Sequence, residues 1–203
     1  MMEILGTFDR ANYENYEWDD IWIEKAKNAD AKRVLYIGDS VARGIRRLAT
    51  ALSGERLLFD GYSTSKGIDN PWIKEQLCLI VQQNWSQKAV LFNNGLHGWH
   101  LDPEAYGVYF EEMLRFLRDL FPEAPIFPIL TTTVASGNGK AVVAARNDVV
   151  RKLAQKYDLP VIDLYDVSLS SGNFISQDGI HPTQEGYELL AKKILKVLEE
   201  NGI

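Results

Sequence analysis

Short apolar runs alternate with longer segments of helical periodicity from residue 33 onward. The runs have little polar alternation, which is typical of strands buried on both faces of a parallel sheet. Five such strands are predicted, over residues 33–37, 56–60, 88–93, 125–132 and 160–165. Apolar residues at helical spacing predict five helices, at about 41–53, 71–84, 103–120, 139–157 and 183–200.

Capping residues support three of these helices. Asn70 and Asp102 each precede a proline, which fits the first position of a helix. Thr183 lies three residues before Gly186 and gives a weaker cap.

Alternating strands and helices predict an α/β fold, a three-layer α/β/α sandwich around a five-stranded parallel sheet. We expect one domain over residues 1–203, because no linker or repeat divides the chain. Residues 1–30 form an N-terminal extension in this interpretation, with an extra helix near 17–29 packed on the outside. Ligands of such a sheet bind beyond the carboxyl ends of its strands, so the loops that follow the strands are where we expect chemistry.

Composition narrows the class of protein. A hydrophobic content of 46% is enough for a sizeable core, and the net charge of −6 argues against a nucleic-acid partner. The one basic cluster, Arg43 with Arg46 and Arg47, is interpreted as a solvated helix face. A single cysteine, Cys78, excludes an intrachain disulfide and a cysteine-based metal cage.

The sequence offers no sign of a membrane partner. The first residues lack a basic segment followed by a long apolar one, and no run approaches about 18 apolar residues. We therefore expect a cytoplasmic protein. A signal peptide already removed would leave the same sequence, and the expectation would then be a periplasmic or secreted protein.

The first candidate for chemistry is Ser40, in "IGDS" at the end of the first strand. A serine hydroxyl needs a base within hydrogen-bond distance to become a nucleophile. The alternative interpretation makes Asp39 or Ser40 an ordinary helix cap.

The second candidate is "DGIHP", where Asp178 precedes His181 by three residues. This spacing lets the carboxylate hold the imidazole in one tautomer while the imidazole takes a proton from Ser40. The alternative is a turn-forming aspartate and a histidine packed on Pro182.

Acyl transfer also needs hydrogen-bond donors for the developing oxyanion. The sequence offers the Ser40 backbone N–H, a glycine N–H in the loop after the second strand, and an asparagine side chain after the third. Gly67 is preferred to Gly61 because it lies deeper in the loop. Asn93 and Asn94 are both candidates, with a turn or a cap as the alternative role for either.

In order and spacing, "IGDS", the glycine-bearing loop 61–70, "FNNGLHG" at 92–98 and "DGIHP" resemble the four sequence blocks of the SGNH (GDSL-like) hydrolases. The resemblance covers roughly residues 33–200. It implies the flavodoxin-like strand order of that family, with Ser40 as nucleophile and His181, in Asp-x-x-His, as base. It also implies that Gly67 and an asparagine complete the oxyanion hole.

The third block departs from the usual Gly-x-Asn-Asp of the family. Its "NNGLH" resembles a subgroup variant with an Asn-x-Gly-Leu-His string, which slightly favours Asn93 over Asn94 as the donor. Asn94 lies one residue nearer the loop and stays open as the alternative.

Further polar residues cluster near this block. Asp39, His97 and Trp99 are interpreted as substrate-binding residues, with Trp99 supplying a flat apolar or sugar-stacking surface. An alternative combines His97, His100 and Asp102 as a metal site, and a metal-assisted hydrolase follows from it.

The sequence therefore predicts a serine esterase that hydrolyses a carboxylic ester through an acyl-enzyme and needs no cofactor or metal. No long apolar loop is present to sheath a fatty chain, so a short acyl group is expected, such as acetyl on a small molecule or carbohydrate. A non-catalytic carbohydrate-binding relative is the other alternative.

Overall fold

The sheet of the computed structural model, which describes residues 8–83, 86–135 and 137–203, has six strands within those ranges. They are β1 (Asp19–Trp22), β2 (Arg33–Gly38), β3 (Leu58–Thr64), β4 (Gln87–Phe92), β5 (Ile126–Leu130) and β6 (Ile162–Asp163). Their order is β1-β3-β2-β4-β5-β6. Strands β2 to β6 are parallel in the flavodoxin-like order, whereas β1 pairs antiparallel with β3. The α/β fold class is confirmed, with a mixed sheet of six strands in place of a parallel sheet of five.

Six α-helices lie in the same ranges: α1 (Ser40–Leu52), α2 (Trp72–Val81), α3 (Pro103–Leu120), α4 (Gly137–Lys156), α5 (Leu164–Ser170) and α6 (Gln184–Glu200). The bounds of α3 are those predicted, and Asp102 and Thr183 cap α3 and α6 as expected. Residue 84, the end of the predicted second helix, and residues 1–7 of the extension lie outside the described residues.

Two apolar clusters fill the space on either side of the sheet. Strand β2 contributes Val34 and Tyr36 to one cluster and Leu35 and Ile37 to the other, all almost fully buried. The first cluster packs against α1 and α6, and the second against α2, α3 and α4. These contacts confirm the three-layer sandwich and explain why the strands lack polar alternation.

The predicted helix at 17–29 is wrong, because this segment supplies the edge strand β1. Ile21 and Trp22 pair with Tyr62 and Gly61 of β3. Asp20 forms a salt bridge of 2.6 Å with Arg46, and the Arg46 guanidinium lies 5.5 Å from the Trp22 ring centroid. Backbone hydrogen bonds to β3 and the salt bridge to Arg46 thus hold the extension at the edge of the sheet. These interactions outweigh the weak helical periodicity of the segment.

These contacts also correct the interpretation of the basic cluster and of Gly61. Arg46 is only 4% exposed and lies under β1, whereas the sequence pattern placed it on a solvated face. Gly61 lies inside β3, and a Cβ atom there would come within 2.7 Å of the Arg46 Cδ. The Arg46 side chain crosses Gly61 closely, and Gly67 is the glycine that lies in the loop after β3.

The fifth predicted strand is shorter than expected. Strand β6 has two residues, because the Asp163 side chain accepts a hydrogen bond from the Asp166 N–H and begins the unpredicted helix α5. Within the described ranges, no helix has the length and apolar content needed to cross a membrane.

Candidate active site

Ser40 lies where the central strand β2 turns into helix α1. Asp39 caps this helix, since its Oδ1 accepts a hydrogen bond of 2.9 Å from the Val41 N–H. Ser40 is the first helical residue, so its own N–H has no partner within the helix. The turn therefore presents a hydroxyl and a backbone donor together at the carboxyl edge of the sheet.

Asp178 and His181 form a tight turn just before α6. The Asp178 Oδ1 accepts hydrogen bonds of 2.9 Å from the N–H groups of Ile180 and His181 and from the Ser176 hydroxyl. Gly179 has a φ of +77°, which a glycine adopts without strain. The backbone of the turn thus fixes the carboxylate, and the remaining oxygen faces the imidazole.

The imidazole of His181 joins Asp178 to Ser40. Its Nδ1 lies 2.6 Å from the Asp178 Oδ2 and its Nε2 lies 2.7 Å from the Ser40 Oγ. A carboxylate only accepts hydrogen bonds, so Nδ1 donates its proton to Asp178, and Nε2 accepts the hydrogen bond from the Ser40 hydroxyl. In this tautomer the imidazole can receive the hydroxyl proton.

Packing of α1 against α6 brings His181 to Ser40, which is 141 positions earlier in the sequence. The two helices are in contact at Gly44, where a Cβ atom would lie 2.4 Å from a ring carbon of Tyr187. Gly44 is one turn after Ser40, and Tyr187 is six residues after His181. A glycine at the crossing therefore sets how near the two helix beginnings lie.

The pKa values of Asp178 and Asp39, two carboxylates near His181, are shifted in opposite directions. Hydrogen bonds from the backbone N–H of Ile180, the His181 ring and the His181 N–H hold the pKa of Asp178 well below its usual range. Burial raises the pKa of Asp39, although the charges of His97 and His181 oppose this effect. Asp178 is thus the carboxylate that stays ionised and supports a positive imidazole.

The two asparagines differ in the hydrogen bonds that their side-chain amides make. Both N–H bonds of the Asn93 amide are used, to the Ile129 carbonyl at 3.0 Å and the Thr131 hydroxyl at 2.9 Å. The Asn94 amide donates one, to the Lys66 carbonyl at 2.9 Å. A second N–H therefore remains for a ligand at Asn94 and not at Asn93.

The same contact orients the Gly67 amide. Asn94 binds the carbonyl of the Lys66–Gly67 peptide, and in a trans peptide the Gly67 N–H points the opposite way. A Cβ atom at Gly67 would lie 2.8 Å from the Gly98 Cα, so the two loops meet backbone to backbone. The hydrogen bond from Asn94 therefore fixes the plane of the Lys66–Gly67 peptide.

Two of the three predicted substrate-binding residues have accessible side chains. Trp99 is 45% exposed and the His97 side chain is 18% exposed. Asp39 is 1% exposed, and its carboxylate caps α1.

The residues of the alternative metal site bind three separate partners. The His97 Nδ1 lies 3.3 Å from the Glu14 Oε1, and the His100 Nε2 lies 2.7 Å from the Asp69 Oδ2. Asp102 caps α3. The described ranges contain no group of three or more His, Cys, Asp or Glu side chains arranged to hold a metal ion. The structure therefore does not bring the three proposed ligands together.

Sequence reasoning missed Arg146 of α4, which is fully buried beneath loop 95–101. Its guanidinium donates hydrogen bonds of 2.6–3.2 Å to four carbonyls of that loop, those of Gly95, His97, Gly98 and Leu101. It also lies 5.4 Å from the Trp99 ring centroid and 4.7 Å from that of Tyr106. Burial lowers the pKa of Arg146, yet an arginine keeps its proton in proteins. This cation fixes the loop that carries His97, Trp99 and Gly98.

The N-terminal extension also reaches the site, which the sequence did not indicate. Glu14 contacts His97, and Asp19 binds the buried Lys66 Nζ at 2.7 Å. Ser65 accepts a hydrogen bond from the Trp18 N–H at 2.9 Å. The extension therefore braces the loop that leads to Gly67.

A sequence model of the GDSL-like Lipase/Acylhydrolase family matches residues 36–189. A search of curated proteins gives no significant sequence match.

Solved structures with the same fold include a member of the lipolytic protein G-D-S-L family from Veillonella parvula DSM 2008. It is 18% identical, with a TM-score of 0.71, covering 83% of this chain and 99% of that one. The acetyl xylan esterase AlAXEase is 16% identical, with a TM-score of 0.67 and coverage of 82% and 99%. A carbohydrate esterase family 3 protein from Talaromyces cellulolyticus is 15% identical, with a TM-score of 0.62 and coverage of 84% and 97%.

Proposed function

Because the chain belongs to the GDSL-like Lipase/Acylhydrolase family, we propose that it is a serine esterase that hydrolyses carboxylic esters through an acyl-enzyme. The observation that carries the proposal is the continuous contact from Asp178 to His181 to Ser40, at 2.6 and 2.7 Å. Nucleophile, base and orienting carboxylate lie in hydrogen-bond order, as this chemistry requires.

Each step moves one proton through His181. The Ser40 Oγ attacks the ester carbonyl while its proton passes to the Nε2 of His181, and Asp178 stabilises the imidazolium. The tetrahedral intermediate collapses as the imidazolium returns that proton to the departing alcohol. Water then repeats the sequence on the acyl-serine, which releases the carboxylic acid and restores Ser40.

Three donors are proposed for the oxyanion: the N–H groups of Ser40 and Gly67 and the second N–H of Asn94. Ser40 is the first residue of α1, so the positive end of the helix dipole lies at the Ser40 N–H. The dipole therefore strengthens the attraction of this N–H for an oxyanion. The bond from Asn94 to the Lys66 carbonyl holds the Lys66–Gly67 peptide, and with it the Gly67 N–H, in one orientation. Donors fixed before the reaction need no reorganisation when charge develops.

The substrate proposed is an ester with a short acyl group such as acetyl. The family as a whole includes lipases and acylhydrolases, and its name leaves the acyl length open. The absence of a long apolar run in the loops after the strands supports a short chain. Two structural neighbours named as an acetyl xylan esterase and a carbohydrate esterase are consistent with this choice.

An ester series from acetyl to palmitoyl, measured with Ser40→Ala, His181→Ala and the double variant, tests the proposal. We expect each single variant to lose about 10³-fold or more in kcat and the double variant to be little worse, because triad residues act as one unit. In the wild type we expect the acetyl ester to be the best substrate. Losses that multiply in the double variant would contradict a shared step.

The pH profile gives a second measurement. Only a neutral imidazole accepts the serine proton, so kcat/KM for an activated ester should fall in acid. The lowered pKa of Asp178 keeps that carboxylate charged throughout. If no serine-directed phosphonate reacts with Ser40, the catalytic proposal fails and the non-catalytic alternative takes its place.

A further inference from the structure

Lys66 is a buried cation in the loop that leads to Gly67. Its side chain is 10% exposed, and its Nζ lies 2.7 Å from the Asp19 Oδ2 and 3.7 Å from the Glu17 Oε2. Both carboxylates belong to the N-terminal extension. Burial of an ion pair carries a desolvation cost that a well-packed apolar side chain would avoid. An ion pair at this position therefore indicates that the direction of the contact matters as well as its burial.

The charge of Asp19 is maintained by its surroundings. Its Oδ1 accepts a hydrogen bond of 2.9 Å from the Tyr62 hydroxyl, while its Oδ2 accepts from Lys66. Burial opposes ionisation, but hydrogen bonds from the Lys66, Thr64 and Tyr62 side chains outweigh burial and lower the pKa of this carboxyl. The ion pair therefore ties strand β1 of the extension to the Gly67 loop at neutral pH.

The backbone of Lys66 is fixed on both sides of this ion pair. The Lys66 N–H donates to the Thr64 Oγ1 at 3.1 Å, and that hydroxyl donates to the Trp18 carbonyl at 3.2 Å. The Lys66 carbonyl accepts from the Asn94 Nδ2 at 2.9 Å. The N–H, the carbonyl and the side-chain end of one residue are thus all held, and two of these three contacts lead to the extension.

Lys66 shares a peptide unit with the Gly67 N–H. This peptide is trans and planar, so any rotation at Lys66 turns the Gly67 N–H with it. A group that acts on a developing charge has to be held within about 0.5 Å and 10–20° of its productive geometry by the residues around it. The contacts of Lys66 are of the kind that can meet this requirement, because they restrain the peptide from three directions.

We propose that Lys66 and Asp19 are positioning residues, whose ion pair holds the Gly67 N–H in the orientation that donates to the oxyanion. The extension is then a working part of the active site, although it contributes no reacting atom. The proposal rests on the esterase function proposed above, with Gly67 as one of its oxyanion donors.

The test compares Asp19→Asn with Asp20→Asn, at neighbouring positions of β1. Asp20 pairs with Arg46 at 2.6 Å, so the control also removes an ion pair of the extension, but one that leads to α1. We expect kcat for p-nitrophenyl acetate to fall about tenfold in Asp19→Asn at nearly unchanged KM, because a displacement of about 1 Å can cost about 10²-fold. Asp20→Asn should keep the kcat of the wild type. Equal losses of kcat in the two variants, or an unchanged kcat in Asp19→Asn, would overturn the proposal.

Lys66→Met tests the same contact from its other side. We expect kcat to fall by about 10- to 100-fold, again at nearly unchanged KM. The double variant Lys66→Met with Asp19→Asn should be little worse than Lys66→Met, because both substitutions act through one contact. Losses that multiply in the double variant would contradict the shared role.

Amide hydrogen exchange of residues 64–68 separates failure of this proposal from failure of the esterase proposal, because exchange needs no turnover. We expect faster exchange in Asp19→Asn than in Asp20→Asn. Equal exchange in the two variants would overturn the role of the ion pair, whether or not Ser40 is the nucleophile. Hydrolysis that persists in Ser40→Ala would overturn the esterase mechanism, and the exchange measurement would still decide whether the ion pair holds the loop.

Discussion

Two arginines are buried at opposite ends of the parallel sheet, and their partners differ in kind. Arg33, at the start of β2, donates to the Asp60 carboxylate at 2.8 Å and to carbonyls of residues 24–28. Arg146, beneath the carboxyl edge, donates to four loop carbonyls, and no carboxylate forms a salt bridge with it in the part of the chain that the structure describes. The first is a neutralised pair, and the second is a cation held by backbone dipoles and ring faces.

The difference indicates what each end of the sheet must do. A buried ion pair has a large cost if one partner is removed, so Arg33 mainly secures the fold. Arg146 leaves no carboxylate behind when it is removed, and its bonds all go to the loop around the candidate site. We therefore expect the amino end to govern stability and the carboxyl end to govern geometry at Ser40.

Of the substitutions considered, the removal of Arg33 should have the largest effect, which is a loss of folding stability. Arg33→Met leaves the buried Asp60 charge without its cation, so we expect the free energy of unfolding to drop by about 3–5 kcal/mol in urea titrations. The kcat of folded protein should stay within about twofold, because Arg33 lies about 20 Å along the strand direction from Ser40. Arg33→Met combined with Asp60→Leu should recover part of the stability. A large loss of kcat in that double variant would contradict the claim that Arg33 affects stability and not the geometry at Ser40.

Asn93 and Asn94 allow a test of stability against geometry within the carboxyl end of the sheet. Asn94→Ala should lower kcat by about 10²–10³-fold at nearly unchanged KM, because it removes the proposed oxyanion donor. It should also lower Tm, because the Lys66 carbonyl loses its hydrogen bond. Asn93→Ala leaves the Ile129 carbonyl and the Thr131 hydroxyl unpaired and should cost about 1–3 kcal/mol of stability. Steady-state kinetics and thermal unfolding of both variants decide the assignment. A kcat loss confined to Asn93→Ala would return the donor role to Asn93.

Replacing Arg146 should lower both the rate and the stability, because it also leaves four loop carbonyls unpaired. Arg146→Met frees loop 95–101, and misplacement of catalytic groups by about 1 Å can cost about 10²-fold, so we expect kcat to fall by about 10- to 100-fold. Arg146→Lys keeps the charge without the forked geometry and should recover part of the loss. Arg151→Met, on the same helix and half exposed, is the control. If Arg146→Met only lowers Tm and leaves kcat intact, the arginine is structural.

Asp39 should give the smallest effect, visible only as a pH dependence of stability. Because burial raises its pKa, the folded state favours the protonated carboxyl, and that stabilisation is lost as pH rises through the raised pKa. Asp39→Asn keeps an oxygen to accept from the Val41 N–H and cannot ionise. We expect its Tm relative to the wild type to rise from acid to neutral pH. A Tm difference independent of pH would contradict this.

The parts of this fold that follow from local pattern could be predicted from the sequence. The five parallel strands and their helices depend on apolar runs, helical spacing and caps such as Asp102. Asp178 and His181 share one turn, and Ser40 ends the first predicted strand, so the rule for parallel sheets was enough to place them at one edge. The structure brings these three within hydrogen-bond distance.

Features that depend on distant partners could not be predicted. Strand β1 exists because β3 offers an open edge and Arg46 a cation, neither of which appears near residue 20 in the sequence. Arg146 follows the pattern of a surface residue on a helix until loop 95–101 is folded over it. Asn93 and Asn94 are adjacent and chemically identical, and only the hydrogen bonds of the folded chain distinguish them.

The contact between Gly44 of α1 and Tyr187 of α6 affects when the site can form during synthesis of the chain. During synthesis the serine emerges more than a hundred residues before the histidine, which at about 5–20 residues per second is a wait of several seconds or longer. Until α6 has left the ribosome and docked at Gly44, the nascent chain holds a nucleophile without its base. The esterase chemistry proposed for this protein therefore begins only after the C-terminal helix has packed, and a substitution at Gly44 would delay or prevent that moment without touching a reacting atom.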